Sequence, residues 1–477
     1  MRKISILLLS VLLVVGCSSI ENLMEGRKKT IQGEKIEVFS PYGIINTSNT
    51  CNILDYPPQT SIYRQTININ AKFEWNANYI ARKFKCLSNI AYSNNSTPII
   101  TNSQNIVVMD MHGSLTCYSL NGNMIWNNET FLKKNKQKSS KQILQIGYHT
   151  YVGASISYNE SENAIYSTDT FGSIMKTDAK KGTTLWYSTY HNPLITTPQF
   201  FDDFVITASI NSEVVLFDKN NGKMLLAIPK EEGTIIKEIY NNNIIVTPLT
   251  KSSALIAVQT PLNGGIKIYK INITQTEKDK TFNISTIYSP ATEFFSQDSA
   301  IISTRYNEYT QSILQYKTGY IVAKKDGTVE YYDVERSDVL WRKFYHPTTS
   351  IVGAGDLGYF INANTTLLAI KLCDGSIQWK YTLKHEKEAP KSIIARIKDT
   401  FSSDTIYSHP VIAGNRVVLR DSSDSCLTFD MLTGNLLSTE SLFPSFHEAP
   451  IFQNGMMFLK NSYHILALYP KNIAITS

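Results

Sequence analysis

The 477-residue chain holds only six cysteines, five tryptophans and eight histidines, and after its first sixteen residues no apolar run is long enough to cross a bilayer. Each scarcity excludes something. A spanning helix needs about 20 consecutive apolar residues, so the part beyond the N-terminus is expected to carry none. No two cysteines form a CxxC pair, which argues against a zinc site. Five cysteines remain beyond Cys17, namely Cys51, Cys86, Cys117, Cys373 and Cys426. Their number is odd, so at least one is unpaired, and spacing alone assigns no bridge. The histidines, at 112, 149, 191, 346, 385, 409, 447 and 464, show neither HExxH nor i, i+4 spacing. GxSxG, P-loop and GxGxxG patterns are missing too. No catalytic residue, metal or cofactor is therefore expected. The net charge of +6 is mild for this length and gives no reason to expect nucleic acid.

What is present begins at the N-terminus. Arg2 and Lys3 precede an apolar run from Ile4 to Val15, and Gly16-Cys17-Ser18-Ser19 follow. Positive residues, an apolar core and a small residue form a secretory signal with a processing site. The cysteine directly after the small residue resembles the lipobox of bacterial lipoproteins. That resemblance implies cleavage between Gly16 and Cys17 and acylation of Cys17. Residues 1–16 are expected to be the signal peptide and 17–38 a polar lipidated tether. The tether's basic cluster Arg27-Lys28-Lys29 suits either attraction to anionic lipid or a solvated linker.

From there on the chain repeats itself. The unit reads strand, polar turn, second strand, a turn with Gly, then Trp or Leu. It is complete in Ile106–Trp126 and recurs in Ala164–Trp186, Phe204–Leu226, Tyr320–Trp341, Gly358–Trp379 and Arg416–Leu437. Ile244–Tyr269 is a degenerate copy without the tryptophan, and Met456–Tyr469 stops one strand short. Alternation of apolar and polar residues marks the strands. Asp178, Asp218, Asp333 and Asp430 are placed to bond the backbone of the second turn, and Trp126, Trp186, Trp341 and Trp379 offer flat areas for packing sheet on sheet. Short strands repeated in this way point to a propeller. The expectation is an all-β fold: an eight-bladed β-propeller of four-stranded antiparallel blades over residues 39–477. A strand near 73–80, with Trp75 in the terminal position, would complete the last blade. Residues 127–161, 270–318 and 381–409 read as long surface connections.

The turn pattern Asp-x-x-x-Gly-x-x-x-Trp, as in Asp178–Trp186, resembles the repeat of pyrroloquinoline-quinone-type (PQQ-like) propellers. Joined to a lipobox and eight units, it is similar to the BamB family of outer-membrane assembly lipoproteins. The segment Gly33-Glu34-Lys35-Ile36-Glu37-Val38 looks like a leader motif of alphaproteobacterial members. The resemblance implies a non-enzymatic scaffold, lipid-anchored at the outer membrane with its propeller facing the periplasm. Its implied partners are the periplasmic domains of the barrel-inserting protein and other members of that complex. A propeller lipoprotein that binds a glycan, a lipid or another envelope protein is the alternative, and a quinone-dependent dehydrogenase a third reading. The latter's family shows adjacent cysteines and clustered calcium ligands, neither of which is evident. Tyr288, Phe294, Phe295, Tyr306 and Tyr309, dense aromatics in a long connection, form the candidate partner-binding loop, since aromatic anchors dominate interfaces.

The lipobox reading yields a direct outcome. Cys17→Ala is expected to abolish incorporation of labelled palmitate and to shift the chain from the membrane to the soluble fraction. Unchanged fractionation would contradict it.

Overall fold

The computed structural model describes residues 79–85, 99–101, 105–110, 112–119, 122–135, 153–209, 213–228, 244–259, 266–275, 280–288, 312–324, 326–383, 405–422, 425–441, 449–453, 456–460 and 464–470. Strand β1 (Tyr79–Lys85) is first in sequence and outermost in the last blade. Blade 1 is β2–β5 (Ile99–Ile100, Ile106–Met109, Leu115–Tyr118, Met124–Asn128), followed by helix α1 (Thr130–Asn135). Blade 2 is β6–β9 (Gly153–Asn159, Ala164–Asp169, Ser173–Asp178, Thr184–Thr189), and blade 3 is β10–β13 (Gln199–Phe201, Phe204–Ala208, Val214–Asp218, Met224–Ile228). Blade 4 is β14–β17 (Ile244–Thr250, Ser253–Gln259, Ile266–Gln275, Lys280–Tyr288), and blade 5 is β18–β21 (Ser312–Tyr316, Gly319–Ala323, Thr328–Asp333, Asp338–Phe344). Blade 6 is β22–β25 (Val352–Ala354, Leu357–Ile361, Thr366–Lys371, Ile377–Thr382), and blade 7 is β26–β29 (Val411–Ala413, Arg416–Arg420, Ser425–Asp430, Leu436–Ser441). Blade 8 takes β30–β32 (Ile451–Gln453, Met456–Lys460, His464–Pro470) and is completed by β1, which runs antiparallel to β32 with Tyr79 opposite Pro470 and Lys85 opposite His464.

Within each of the first seven sheets the strands lie in sequence order, and all pairs are antiparallel. First strands of neighbouring blades touch: β2 meets β6, β10 meets β14, β14 meets β18 and β22 meets β26. These inner strands form the hub of an eight-bladed propeller, and blade 8 joins the first described strand to the last. A closed ring leaves no inner sheet edge open. Among the described residues no helix is long and apolar enough to cross a membrane.

The apolar core lies between blades. Second and third strands are covered on both faces, so they read as continuous apolar runs, and β3, β11 and β19 are buried at every position. One cluster joins Tyr359, Leu367 and Trp379 of blade 6 to Val417, Leu419 and Phe429 of blade 7. Others join blades 1 and 2, 2 and 3, 3 and 4, 4 and 5, 5 and 6, and 7 and 8.

Four seams carry one further contact. The indole Nε1–H of Trp126, Trp186, Trp341 and Trp379 donates to the carbonyl of Ala179, Lys219, Leu372 and Met431 in the next blade, at 3.1, 2.9, 2.9 and 3.0 Å. Each acceptor is the first residue of the turn between third and fourth strands. The glycine three residues later lies under the same ring. A Cβ on Gly182, Gly222, Gly375 or Gly434 would stand 2.4, 2.5, 2.7 or 2.5 Å from the tryptophan's ring atoms. These glycines have φ between +70° and +74°, which L side chains rarely adopt. The turn is preorganised: Asp178, Asp218 and Asp430 each accept two backbone N–H bonds from it. A bulge just ahead of each tryptophan, as between Ala369 and Ile370 opposite Trp379, turns the ring toward the neighbour.

Three expectations need correction. The Ile244–Tyr269 copy supplies the first three strands of blade 4, not the last three, and β17 is its outer strand. Much of 270–318 is consequently sheet: part of β16, all of β17, and β18. The strand that completes blade 8 is Tyr79–Lys85, which shares only Tyr79 and Ile80 with the expected segment; Trp75 lies outside the described residues. As to thiols, Cys117 and Cys426 are buried and outside any disulfide, while Cys373 is disulfide-bonded.

The clasp implies matched costs on its two sides. Trp379→Ala is expected to destabilise the fold by about 3–5 kcal/mol. Gly434→Ala, which adds one methyl to the facing turn, should also lower the urea midpoint, through strain and the collision with Trp379. A Gly434→Ala midpoint equal to the parent's would contradict the clasp.

Candidate functional site

Blade 4 departs from this rule on both sides. Toward blade 4, blade 3 presents Leu226, paired with Leu216, at the position of the clasp tryptophan. Toward blade 5, β17 contains no tryptophan at all. The turn it faces, Asp333–Asp338, is otherwise built like the clasped ones. Asp333 accepts the Arg336 N–H, and the Val334 N–H donates to Thr318 O as the Leu372 N–H does to Asp356 O. Yet Ser337 stands where the others have glycine, with φ +54°. A side chain is tolerated there because no indole presses on the turn.

Beside this turn a groove of about 410 Å³ lies between blades 4 and 5. Its walls are apolar, from Leu249, Leu255, Ile287 and Val334, and its charged groups are Lys270, Lys317 and Glu335. Leu249 is 47% exposed. Lys317 extends over the Tyr316 ring, with Nζ 5.1 Å from its centroid and 3.9 Å from the Asp356 carboxylate. The floor is held by the hydroxyls of Thr247 and Tyr320, 3.0 Å apart across the seam, and burial pushes the Tyr320 phenol up to about 12. A concave apolar surface with a few convergent charges is suited to receiving a side chain or loop of a partner.

The seam with blade 3 presents a different surface. Leu225, Leu226, Ile273, Phe282 and Ile284 are half-buried against its core, with the Phe204 and Phe282 rings edge to face at 5.6 Å. Two carboxylates elsewhere are internally paired. Glu162 receives the Tyr166 hydroxyl at 2.6 Å and the Lys176 ammonium at 3.2 Å. Glu330 lies between Lys324 at 2.7 Å and Arg342 at 3.0 Å. Both are structural ties.

Of the aromatics expected to bind a partner, Tyr288 is the last residue of β17, opposite Ile268, so it belongs to a blade edge. Phe294, Phe295, Tyr306 and Tyr309 lie outside the described residues, as do Gly16 and Cys17. Sequence reasoning missed the groove residues Leu249, Leu255, Lys317 and Val334. The signal for them was a paired departure: no tryptophan in one unit, and serine for glycine in the next turn.

Eight four-stranded blades with tryptophans clasped on glycine turns, three of them Asp-x-x-x-Gly, define a PQQ-repeat propeller. The chain is BamB-like within that class: residues 111–233 and 296–381 match the family model described as outer membrane protein assembly factor BamB. Among solved structures the chain is similar to BamB from Moraxella catarrhalis, at 10% identity and TM-score 0.54, over 82% of this chain and 100% of that one. It is also similar to the computationally designed Ika8 protein, at 11% and 0.51, over 81% and 98%. A third is quinohemoprotein alcohol dehydrogenase from Comamonas testosteroni, at 8% and 0.50, over 85% and 78%. At such identities the likeness is one of fold. No curated protein matches the chain.

One titratable contact joins the connections that enter blades 6 and 7. The Ser350 N–H donates to His409 Nδ1 at 3.0 Å, and burial lowers the His409 pKa from 6.5 to about 4. The folded state therefore binds the proton less readily than the unfolded state does. Stability is expected to be full above pH 6.5 and to decline as pH falls toward 4, and His409→Gln should flatten that part of the urea-midpoint profile. A profile unchanged by the substitution would contradict this assignment.

Proposed function

We propose that this chain is a non-enzymatic scaffold of outer-membrane protein assembly, held at the outer membrane through acylated Cys17 with its propeller in the periplasm. In this reading it binds the periplasmic part of the barrel-inserting protein and assists insertion of barrel precursors. The match to the BamB family model carries the proposal. The groove at the blade 4–5 seam supports it, as a preformed apolar recess at a seam without the tryptophan clasp. Charged Lys317 and Glu335 at its rim give a docking partner register, while the apolar walls supply affinity.

The dehydrogenase among the fold neighbours raises a second reading. The sequence contains no adjacent cysteines. Among the described residues no group of three or more His, Cys, Asp or Glu side chains is placed to hold a metal ion. These residues do not fit a calcium-bound quinone.

Affinity purification of the full lipoprotein from envelopes is expected to recover the barrel-inserting protein. Leu249→Asp places a charge in the groove and should reduce that recovery by about tenfold, roughly 1.4 kcal/mol, with the melting temperature unchanged. Undiminished recovery would remove the groove from the account. Recovery of a glycan or a quinone in place of assembly proteins would overturn the scaffold reading.

A further inference from the structure

The eight outer strands are unequal as edges. In β5, β9, β13, β21, β25 and β29 a bulge near the start leaves only three or four paired residues in register beyond it. Strand β1 is regular, but it carries Arg82, Lys83 and Lys85. Bulges, short lengths and lysines are the devices that keep a sheet edge from pairing with another chain. Strand β17 has none of them over most of its length. It pairs with β16 without interruption from Gln275↔Lys280 to Tyr269↔Thr286, seven consecutive pairs, and its bulge falls beyond, opposite Ile268 and Tyr269. After Lys280 it has no charged residue and no proline: Thr-Phe-Asn-Ile-Ser-Thr-Ile-Tyr. It ends its sheet, with no further strand beside it among the described residues.

Its two faces also differ. Thr281, Asn283 and Ser285 are exposed, and the alternating Phe282 and Ile284 are half-buried. The latter two continue the apolar strip of Leu225 and Leu226 on blade 3. A strand added to β17 would gain main-chain bonds along about 23 Å. Every second side chain would rest on that strip, and those between would face water. The occupant this selects is an extended segment of strictly alternating apolar and polar residues.

We propose that β17 is a strand-accepting edge whose ligand is an unfolded transmembrane β-strand of a barrel precursor. Such strands run about 9–11 residues and alternate apolar and polar faces. Main-chain pairing tolerates variation in the sequence of the added strand, and the apolar strip selects its alternation. The identity of the ligand rests on the scaffold reading; the edge and the alternation it selects do not.

The test uses the full mature chain and two ten-residue peptides of identical composition, one alternating apolar and polar residues, the other with them in blocks. A photo-crosslinking residue is placed at Asn283, or at Ser188 of β9 or Lys380 of β25 as controls. The alternating peptide is expected to crosslink at position 283 at least about fivefold more than at either control, and more than the block peptide does. Asn283→Lys with Ser285→Lys changes two exposed side chains and should weaken alternating-peptide binding by about tenfold while the thermal midpoint stays. Equal crosslinking at all three strands, equal binding of both peptides, or unaffected binding by the lysine variant would each overturn the proposal. Peptide binding that persists while envelope purification recovers no assembly protein would sink the scaffold reading and leave the edge standing. The converse would do the opposite.

Discussion

An outer strand of a propeller blade has water on one side, so it contributes little to a core unless one large side chain is turned inward. In this chain that side chain is tryptophan. Its indole needs both a hydrogen-bond acceptor and a flat surface without a Cβ, and one turn of the next blade supplies the two together. The carbonyl of the turn's first residue accepts the Nε1–H, and the left-handed glycine lies under the ring. Neither half is useful alone. The glycine weakens its own hairpin through its flexibility, and an indole without its acceptor leaves a buried donor unpaired. The pairing has one direction, blades 1, 2, 5 and 6 each docking on a turn of the blade that follows. It also explains why Trp126, Trp186, Trp341 and Trp379 face Gly182, Gly222, Gly375 and Gly434 in turn.

Asymmetry follows from where the pairing is broken. Both seams of blade 4 are without it, and the two candidate features of the surface lie at those seams. Between blades 4 and 5 there is a groove. Between blades 3 and 4 a strip of leucine, isoleucine and phenylalanine takes the place of the indole and runs beside a long regular edge. Function in a ring of similar units is expected where repetition fails, because the repeated positions are committed to holding neighbours together.

The blade count, the antiparallel hairpins and the seam tryptophans were all legible in the sequence, because tryptophan, glycine and aspartate recur at fixed offsets for a steric reason. Blade 4 was misread by one strand for the same reason in reverse. Without tryptophan and glycine to fix the phase, Ile244–Val246 reads as a second strand as readily as a first. Lys280–Tyr288, polar on its exposed face, then reads as a loop. The closing strand was drawn toward Trp75 by its likeness to the terminal residue of the repeat, whereas the register with β32 is set by Tyr79–Lys85. The groove itself was invisible as a motif. It is defined by a residue that is missing from one blade and a serine, Ser337, in another. The pH-sensitive contact of His409 with Ser350 spans 59 residues and leaves no local trace in the sequence.

The central claim is that tryptophan–glycine pairs set the strength of the seams, so that blade 4, with no such pair on either side, is held less firmly than the blades that have them. Native-state amide hydrogen exchange, followed peptide by peptide, measures this directly. The inner strands Ile244–Thr250 and Ser312–Tyr316, which flank the blade 4–5 seam, are expected to open at lower free energy than Val352–Ala354 and Val411–Ala413 at the clasped blade 6–7 seam. Equal protection at the two seams, or stronger protection at blade 4, would contradict it.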